Sequence, residues 1–390
     1  MMKKIFGSII VVAFLLSIFI FPAWAFAAEA NNDFIKSIQD NWSRWSESEN
    51  AAAPTAIRVQ HLLDIIPDSS KATTVTDAVT LAAITRYYSL EKKGFSSDKE
   101  RSISPSDLID SSSGQPVLTE TGTAIAQNSF CQQMLPALQS LATANFPLYA
   151  NGQPTFTNVQ QNKVGDCFLI SAIGYMVSQK PELITGIVTA TPLSTAAIGQ
   201  VPYEFFVKFP NGAHNGGAPY KVTLSLAELA FFTSPATLSD GVWEPVIQKA
   251  TAVCLKNYYG SKAKIDRNDV LWNLQLNHSP AAYIQEIFTG CSTPKIYYLG
   301  RDSVSGDKVA KSIVEALKQK RIVQAMKGSN NPSPQYPGDH WYAIIGYDKS
   351  LDTISIWNPW GDNHSGRKNG VSQLAVSDFV KEFEYLVIQP

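Results

Sequence analysis

The spacing of apolar residues changes character near Asn151, and that change constrains the fold more than any other feature. Up to about residue 150, FIKSIQDNWSRW, DAVTLAAITRYYSL and QMLPALQSLATA carry apolar side chains at helical spacing, and strand-like runs are scarce. Beyond it, apolar helical runs come first and β-rich segments follow: YEFFVKF, YKVTL, WYAIIGY and TISIWN. Helices followed by strands, rather than alternating units, predict an α+β architecture and disfavour a parallel α/β sheet. Between the second and third helical segments, SSDKERSISPSDLIDSSSGQPV is polar and serine-rich and reads as an exposed linker open to nicking. The expected division is a mainly helical region over 31–150 and a second domain over 151–390.

Lys3 and Lys4 precede an apolar run that ends at Phe21, and Pro22 and AWAFAA follow it. The run is short for a membrane span, and two A-x-A sites sit directly behind it, so residues 1–27 are expected to be a cleaved signal peptide. The expected location is secreted or periplasmic, with no stable membrane anchor after cleavage. With 32 basic against 33 acidic residues, the chain has no charge footprint for nucleic acid or an anionic membrane. Cys131, Cys167, Cys254 and Cys291 lack the short paired spacings of a zinc site, so no metal site is expected from them. If Cys167 is a free nucleophile, at most one bridge forms within the chain, and the sequence does not say which pair makes it.

The chemistry concentrates in three short segments. In QQNKVGDCFLISAIGYMV, Gly165 and Asp166 make a turn, and an apolar helix begins near Cys167. A thiol at a helix N-terminus meets partial positive charge and unpaired N–H groups, which favour the thiolate a nucleophile needs and help bind an oxyanion. In PGDHWYAIIGYDKS, His340 stands at the mouth of a strand after a Pro337-Gly338 turn, where a base can reach a helix start. The other histidines, His61, His214, His278 and His364, lie in polar or loop-like settings. In TISIWNPWGDN, Asn358 closes a strand that Pro359 and Gly361 stop. Its carbonyl can accept the imidazole N–H and fix the tautomer, while the neighbouring Trp360 indole screens that bond from water. Each residue alone has a bland reading as an inert thiol, a structural histidine or a turn. A helix-start cysteine, a strand-end histidine and a strand-end asparagine in this order form a Cys-His-Asn catalytic set.

These segments resemble the protease core of the calpain family, a branch of the papain-like cysteine peptidases. QNKVGDCFL places Gln161, Gly165, Asp166 and Cys167 on the family's Q-G-x-L-G-D-C-W-L signature; His340 falls on its G-H-A-Y strand, and Asn358 to Gly361 on its N-P-W-G. GVWEPVIQKATAVCLKNYYGS and AYIQEIFTG resemble two further helices of that core, and VSDFVKEFEYLVI its closing strand, so the likeness runs over about 151–390. It implies a papain-like fold with a helical and a β-rich subdomain. It also implies cysteine endopeptidase activity on protein or peptide substrates through a thioester acyl-enzyme, with Gln161 as the side-chain oxyanion donor. Phe168 replaces the usual tryptophan, and Asp339 stands where a glycine usually precedes the histidine. The chain lacks the acidic, tryptophan-rich pattern after Gly361, the paired aspartates at VTLSLAE, and any D-x-[DN]-x-[DN]-G loop. The expected reaction therefore requires no cofactor; calcium remains an open possibility that these residues do not support.

Region 31–150 lies outside the likeness. Three roles are open for it: a removable pro-region inhibiting the enzyme within the same chain, a helical accessory domain, or an adaptor. Two rival functions use the same residues. An amidase or transglutaminase-like enzyme shares the nucleophile and base, although many of these take an aspartate as the third residue. A non-catalytic binding protein keeps only the shell.

Overall fold

The computed structural model describes residues 23–47, 56–91, 101–118, 124–125, 129–162, 164–210, 217–263, 280–290, 293–299, 305–329, 333, 335–361 and 368–390. His214, His278, Cys291 and His364, and the first 22 residues of the expected signal peptide, lie outside them.

The region before Asn151 is built from α1 (Ala23–Ser46), β1 (Ile57–Arg58), α2 (Val59–Ile65), α3 (Val75–Arg86), β2 (Ser102–Ile103) and α4 (Ser129–Thr143). The A-x-A sites fall within the first turns of α1. Among the described residues, no helix is long and apolar enough to cross a membrane. A capping box starts α3: Asp77 N–H donates to Thr74 Oγ1, and the Asp77 carboxylate accepts the Thr74 N–H. Nearly every side chain of α3 is buried, because α1 and α4 cover it on two sides and the region after Asn151 covers it on a third.

Two expectations change here. The serine-rich linker is pinned over 101–118: β2 pairs antiparallel with β1, Ile103 and Leu108 are buried, and only 110–115 is a continuous exposed stretch. Three buried apolar side chains in a polar run, Ile103, Leu108 and Ile109, suffice to anchor it, and composition averaged over the run hides them. His61, expected in a polar or loop-like setting, lies buried in α2, with Nε2 donating to the Trp45 carbonyl at 2.8 Å.

The region after Asn151 holds α5 (Cys167–Gln179) and α6 (Pro181–Ile187), and a three-stranded antiparallel sheet follows, β3 (Val188–Pro192), β4 (Tyr203–Val207) and β5 (Tyr220–Val222). Next come α7 (Leu226–Phe232), α8 (Pro235–Leu238), α9 (Trp243–Ala263) and α10 (Pro280–Thr289). The remaining elements are β6 (Lys295–Tyr298), α11 (Gly306–Lys318), β7 (Val323–Lys327), β8 (His340–Asp348), β9 (Thr353–Trp357), β10 (Val371–Ala375), α12 (Val376–Glu382) and β11 (Tyr385–Ile388). The last six strands form one antiparallel sheet in the order β10-β9-β8-β7-β11-β6. The architecture is mixed α+β.

Helix α5 is apolar all round, as a helix buried on every side must be, and it lies across β8 and β7. A Cβ on Gly174 would come within 2.2 Å of the Trp357 ring, so glycine sets the close approach of α5 to β9. Gln324 on β7 fixes α5 in place, its Nε2 donating to the Phe168 carbonyl and to Ser171 Oγ, both at 2.7 Å. Lys327, an odd number of residues along the same strand, turns to the opposite face and pairs with Glu382 of α12 at 2.8 Å. Helices thus cover both faces of the sheet, and α5 delivers Cys167 to the edge of one.

Candidate active site

Helix α5 starts at Cys167 because Asp166 is its N-cap, and the Asp166 carbonyl accepts the N–H groups of Leu169 and Ile170. Gly165 makes the preceding bend with φ outside the left-handed region, and a Cβ there meets nothing within 4 Å. The described surroundings do not demand glycine at that position.

His340 is the first residue of β8. Asp339 just before it has φ 52°, and the Tyr342 hydroxyl donates to the Pro337 carbonyl at 3.1 Å, tying down the loop that presents the histidine. On the next strand, the Asn358 N–H donates to the Gly370 carbonyl, and the Gly361 N–H closes a turn onto the Asn358 carbonyl, both at 3.0 Å. Gly361 has φ 71°, which explains the glycine that ends N-P-W-G.

Asn358 Oδ1 lies 2.9 Å from His340 Nε2 and 3.0 Å from the Trp360 backbone N–H. The Trp360 amide can only donate, so the atom facing it is the carbonyl oxygen; His340 Nε2 must then be the protonated nitrogen. Nδ1 is left for proton transfer. The Trp360 ring lies over the imidazole at 4.2 Å between centroids and 36° between planes, and Tyr342 meets it edge-on at 4.8 Å. Two aromatic faces exclude water from the Asn–His bond and hold the ring.

Cys167 Sγ accepts a hydrogen bond from the backbone N–H of Trp341, the residue after His340. This contact brings the sulfur to the mouth of β8. The loop before α5 is latched to N-P-W-G by two bonds: Gln161 N–H to the Pro359 carbonyl at 2.7 Å, and Gln160 Nε2 to the Trp360 carbonyl at 3.0 Å. Asn162 Nδ2 anchors the same loop to the end of α7 through the carbonyls of Phe231 at 3.0 Å and Thr233 at 2.7 Å. The Gln161 amide donates to the Val164 carbonyl at 2.5 Å, and its Oε1 has no partner. A second amide hydrogen stays available to an oxyanion.

The site is closed. Cys167 is 8 % exposed, Gln161 8 %, Asn358 9 % and His340 2 %. Burial reverses the expected lowering of the thiol: desolvation, with a smaller contribution from the Asp166 charge, pushes Cys167 up to about 12, against hydrogen bonds from backbone N–H groups that include Trp341. The helix N-terminus is present, but loss of solvent outweighs it. Cys254, 1 % exposed, also carries a free thiol, so it is not part of a bridge.

Two groups escaped the sequence reading. Gln324 holds α5, and Glu244, in the first turn of α9, takes the Gln160 backbone N–H. A polar residue inside an apolar strand (IVQAMK) or an apolar helix (VWEPVIQ) was the available signal. For calcium, the described residues offer no group of three or more His, Cys, Asp or Glu able to hold a metal ion. Comparison with protein-family models and with curated proteins gives no match.

Proposed function

We propose that the chain is an exported, papain-like cysteine endopeptidase of calpain type, with Cys167 as nucleophile, His340 as base and Asn358 as the residue orienting that base. The carrying observation is the convergence at one strand mouth: Asn358 fixes the tautomer of His340 while the peptide following His340 holds the sulfur of Cys167.

The residues divide the reaction as follows. His340 Nδ1 takes the Cys167 proton as the sulfur bonds to the peptide carbonyl carbon, so the thiolate forms as part of an ion pair and not as a lone buried charge. The oxyanion is met by the Cys167 backbone N–H and the free amide hydrogen of Gln161. The C–N bond breaks as the imidazolium protonates the leaving amine, giving a thioester. His340 then takes a proton from water, whose oxygen displaces the sulfur and releases the acid. Trp360 and Asn358 keep the ring in one orientation throughout.

A protease-like shell that only binds is the second reading, favoured by the closed site and the raised thiol. Iodoacetamide or epoxide labelling, with Cys167→Ala as control, separates the two, read beside casein cleavage with and without chelator. The expected outcome is labelling and cleavage that Cys167→Ala abolishes. Labelling unchanged in that variant, with no proteolysis, defeats the proposal, and cleavage lost only under chelator brings calcium back. Region 31–150 is proposed to stay with the enzyme; sequencing the N-terminus of active, incubated protein checks this, and a new terminus near residue 150 in the active form restores the pro-region.

A further inference from the structure

Two buried carboxyl groups at the loop leading into α5 are not used by the proposed reaction. Asp166 is 1 % exposed, and its carboxylate takes no hydrogen bond from any other described residue. Glu244 is fully buried: its carboxyl is served by Gln248 Nε2 at 3.2 Å and by the Gln160 backbone N–H, while Oε2 has no partner. The two act on each other electrostatically. The other groups facing the pair are Cys167 at the start of α5 and Asp240 in the turn before α9. Asp240 is equally buried but fully served, by Thr155 N–H at 2.6 Å, Thr155 Oγ1 at 2.9 Å, Asn151 Nδ2 at 3.2 Å and Trp243 Nε1 at 3.4 Å. No such donors surround Asp166, and the charges acting on Glu244 are both acidic.

Two buried carboxyl groups that repel each other, one short of donors and neither facing a cation among the described residues, do not both ionise in a dry site. We propose that Asp166 and Glu244 hold at least one proton between them in the folded protein and act as one positioning pair, Glu244 holding the Gln160–Gln161 main chain and Asp166 setting, by its charge, how readily Cys167 ionises. The proposal rests on the reading of Cys167 as nucleophile. Neither residue touches the reacting atoms. Burial pushes Asp166 up to about 7, and burial together with the Asp166 charge raises Glu244 well above the usual carboxylate range.

Two consequences follow with definite sign. A carboxyl whose folded value lies above its unfolded value stabilises fully at low pH and loses that contribution as pH rises toward the folded value, here between about pH 4 and pH 7. An ionised Asp166 next to the thiol opposes thiolate formation, so its effect on Cys167 appears above about pH 7 and vanishes in acid.

The test uses the full chain and two neutral near-isosteres, Asp166→Asn and Glu244→Gln, with melting temperature and the rate of Cys167 alkylation by iodoacetamide followed against pH. The melting temperature of each variant is expected to fall less than that of the wild type between about pH 4 and pH 7. Asp166→Asn is expected to alkylate like wild type near pH 5.5 and on the order of tenfold faster near pH 8, the size of a one-unit change in thiol pKa. General damage to the site would slow it at every pH. Variants that track the wild-type melting profile overturn the retained proton, and an unshifted alkylation profile overturns the positioning role. A melting temperature that calcium raises in wild type but not in Asp166→Asn puts a cation in place of the proton and also overturns it. If Cys167 reacts at no pH even in wild type while the melting difference holds, the protease reading fails and the retained proton stands.

Discussion

The helical region before residue 151 and the loop leading to Cys167 treat a buried carboxylate in opposite ways. Asp77, in the first turn of α3, accepts from Ser37 Oγ at 2.9 Å, Asn41 Nδ2 at 2.8 Å and the Thr74 N–H at 3.2 Å, so it ties α1 to α3. Asp166, at the start of α5, accepts from no other described residue. A satisfied network rigidifies a core, whereas an unsatisfied one costs stability and is kept where electrostatics serve something else. The first region is built to hold, and the second holds groups whose charge state can change.

Breaking each side should therefore give different readouts. The largest effect is expected from His340→Ala, which removes the proposed base. Peptidase kcat/KM per folded molecule should drop by about 10³-fold or more, far beyond what any loss of stability from the emptied ring site explains. Gln161→Ala should follow at about 10²–10³-fold in kcat, the loss of one oxyanion donor, with KM little affected. Asp77→Ala inverts the pattern: about 2–4 kcal/mol of stability in urea denaturation, with kcat per folded molecule retained, because the donors of Ser37 and Asn41 are left unpaired. A mutant that loses activity while still folded would break the contrast.

The smallest effect tests the seam between the two regions. A Cβ on Gly199 would sit 2.0 Å from the Ala72 carbonyl oxygen and 2.1 Å from that of Ser69, and Ser225 Oγ, which caps α7, donates to the Ile66 carbonyl at 2.5 Å. Gly199→Ala should cost about 1–3 kcal/mol in urea denaturation and melt both regions in one transition. Two separate transitions would show that region 31–150 folds apart from the enzyme and sharpen the case for its removal.

Much of this contrast lies beyond the reach of the sequence. The turn chemistry of N-P-W-G is local, so Asn358 and Gly361 could be read directly. The helical spacing in DAVTLAAITRYYSL likewise marked α3, although its last residues continue as a π-helical turn over Tyr87–Glu91. Ile103 and Leu108 could not be recognised as anchors, because β1, which pairs with Ser102–Ile103, lies more than 40 residues earlier in the chain. Glu244 stands far along the chain from Gln160, and only the packing of α9 brings them together.

By itself the sequence determined which chemical groups are available and in what order: a cysteine at a helix start, a histidine and an asparagine at strand ends, and a glutamine six residues before the thiol. These follow from period and turn preference within a few residues of each site. Tertiary structure alone decided their electrostatic condition. Burial is a property of everything packed around a group, so the same Cys167 that helix geometry alone would make acidic is raised to about 12, and Asp166, a turn residue in sequence, is left without a hydrogen bond from any other described residue.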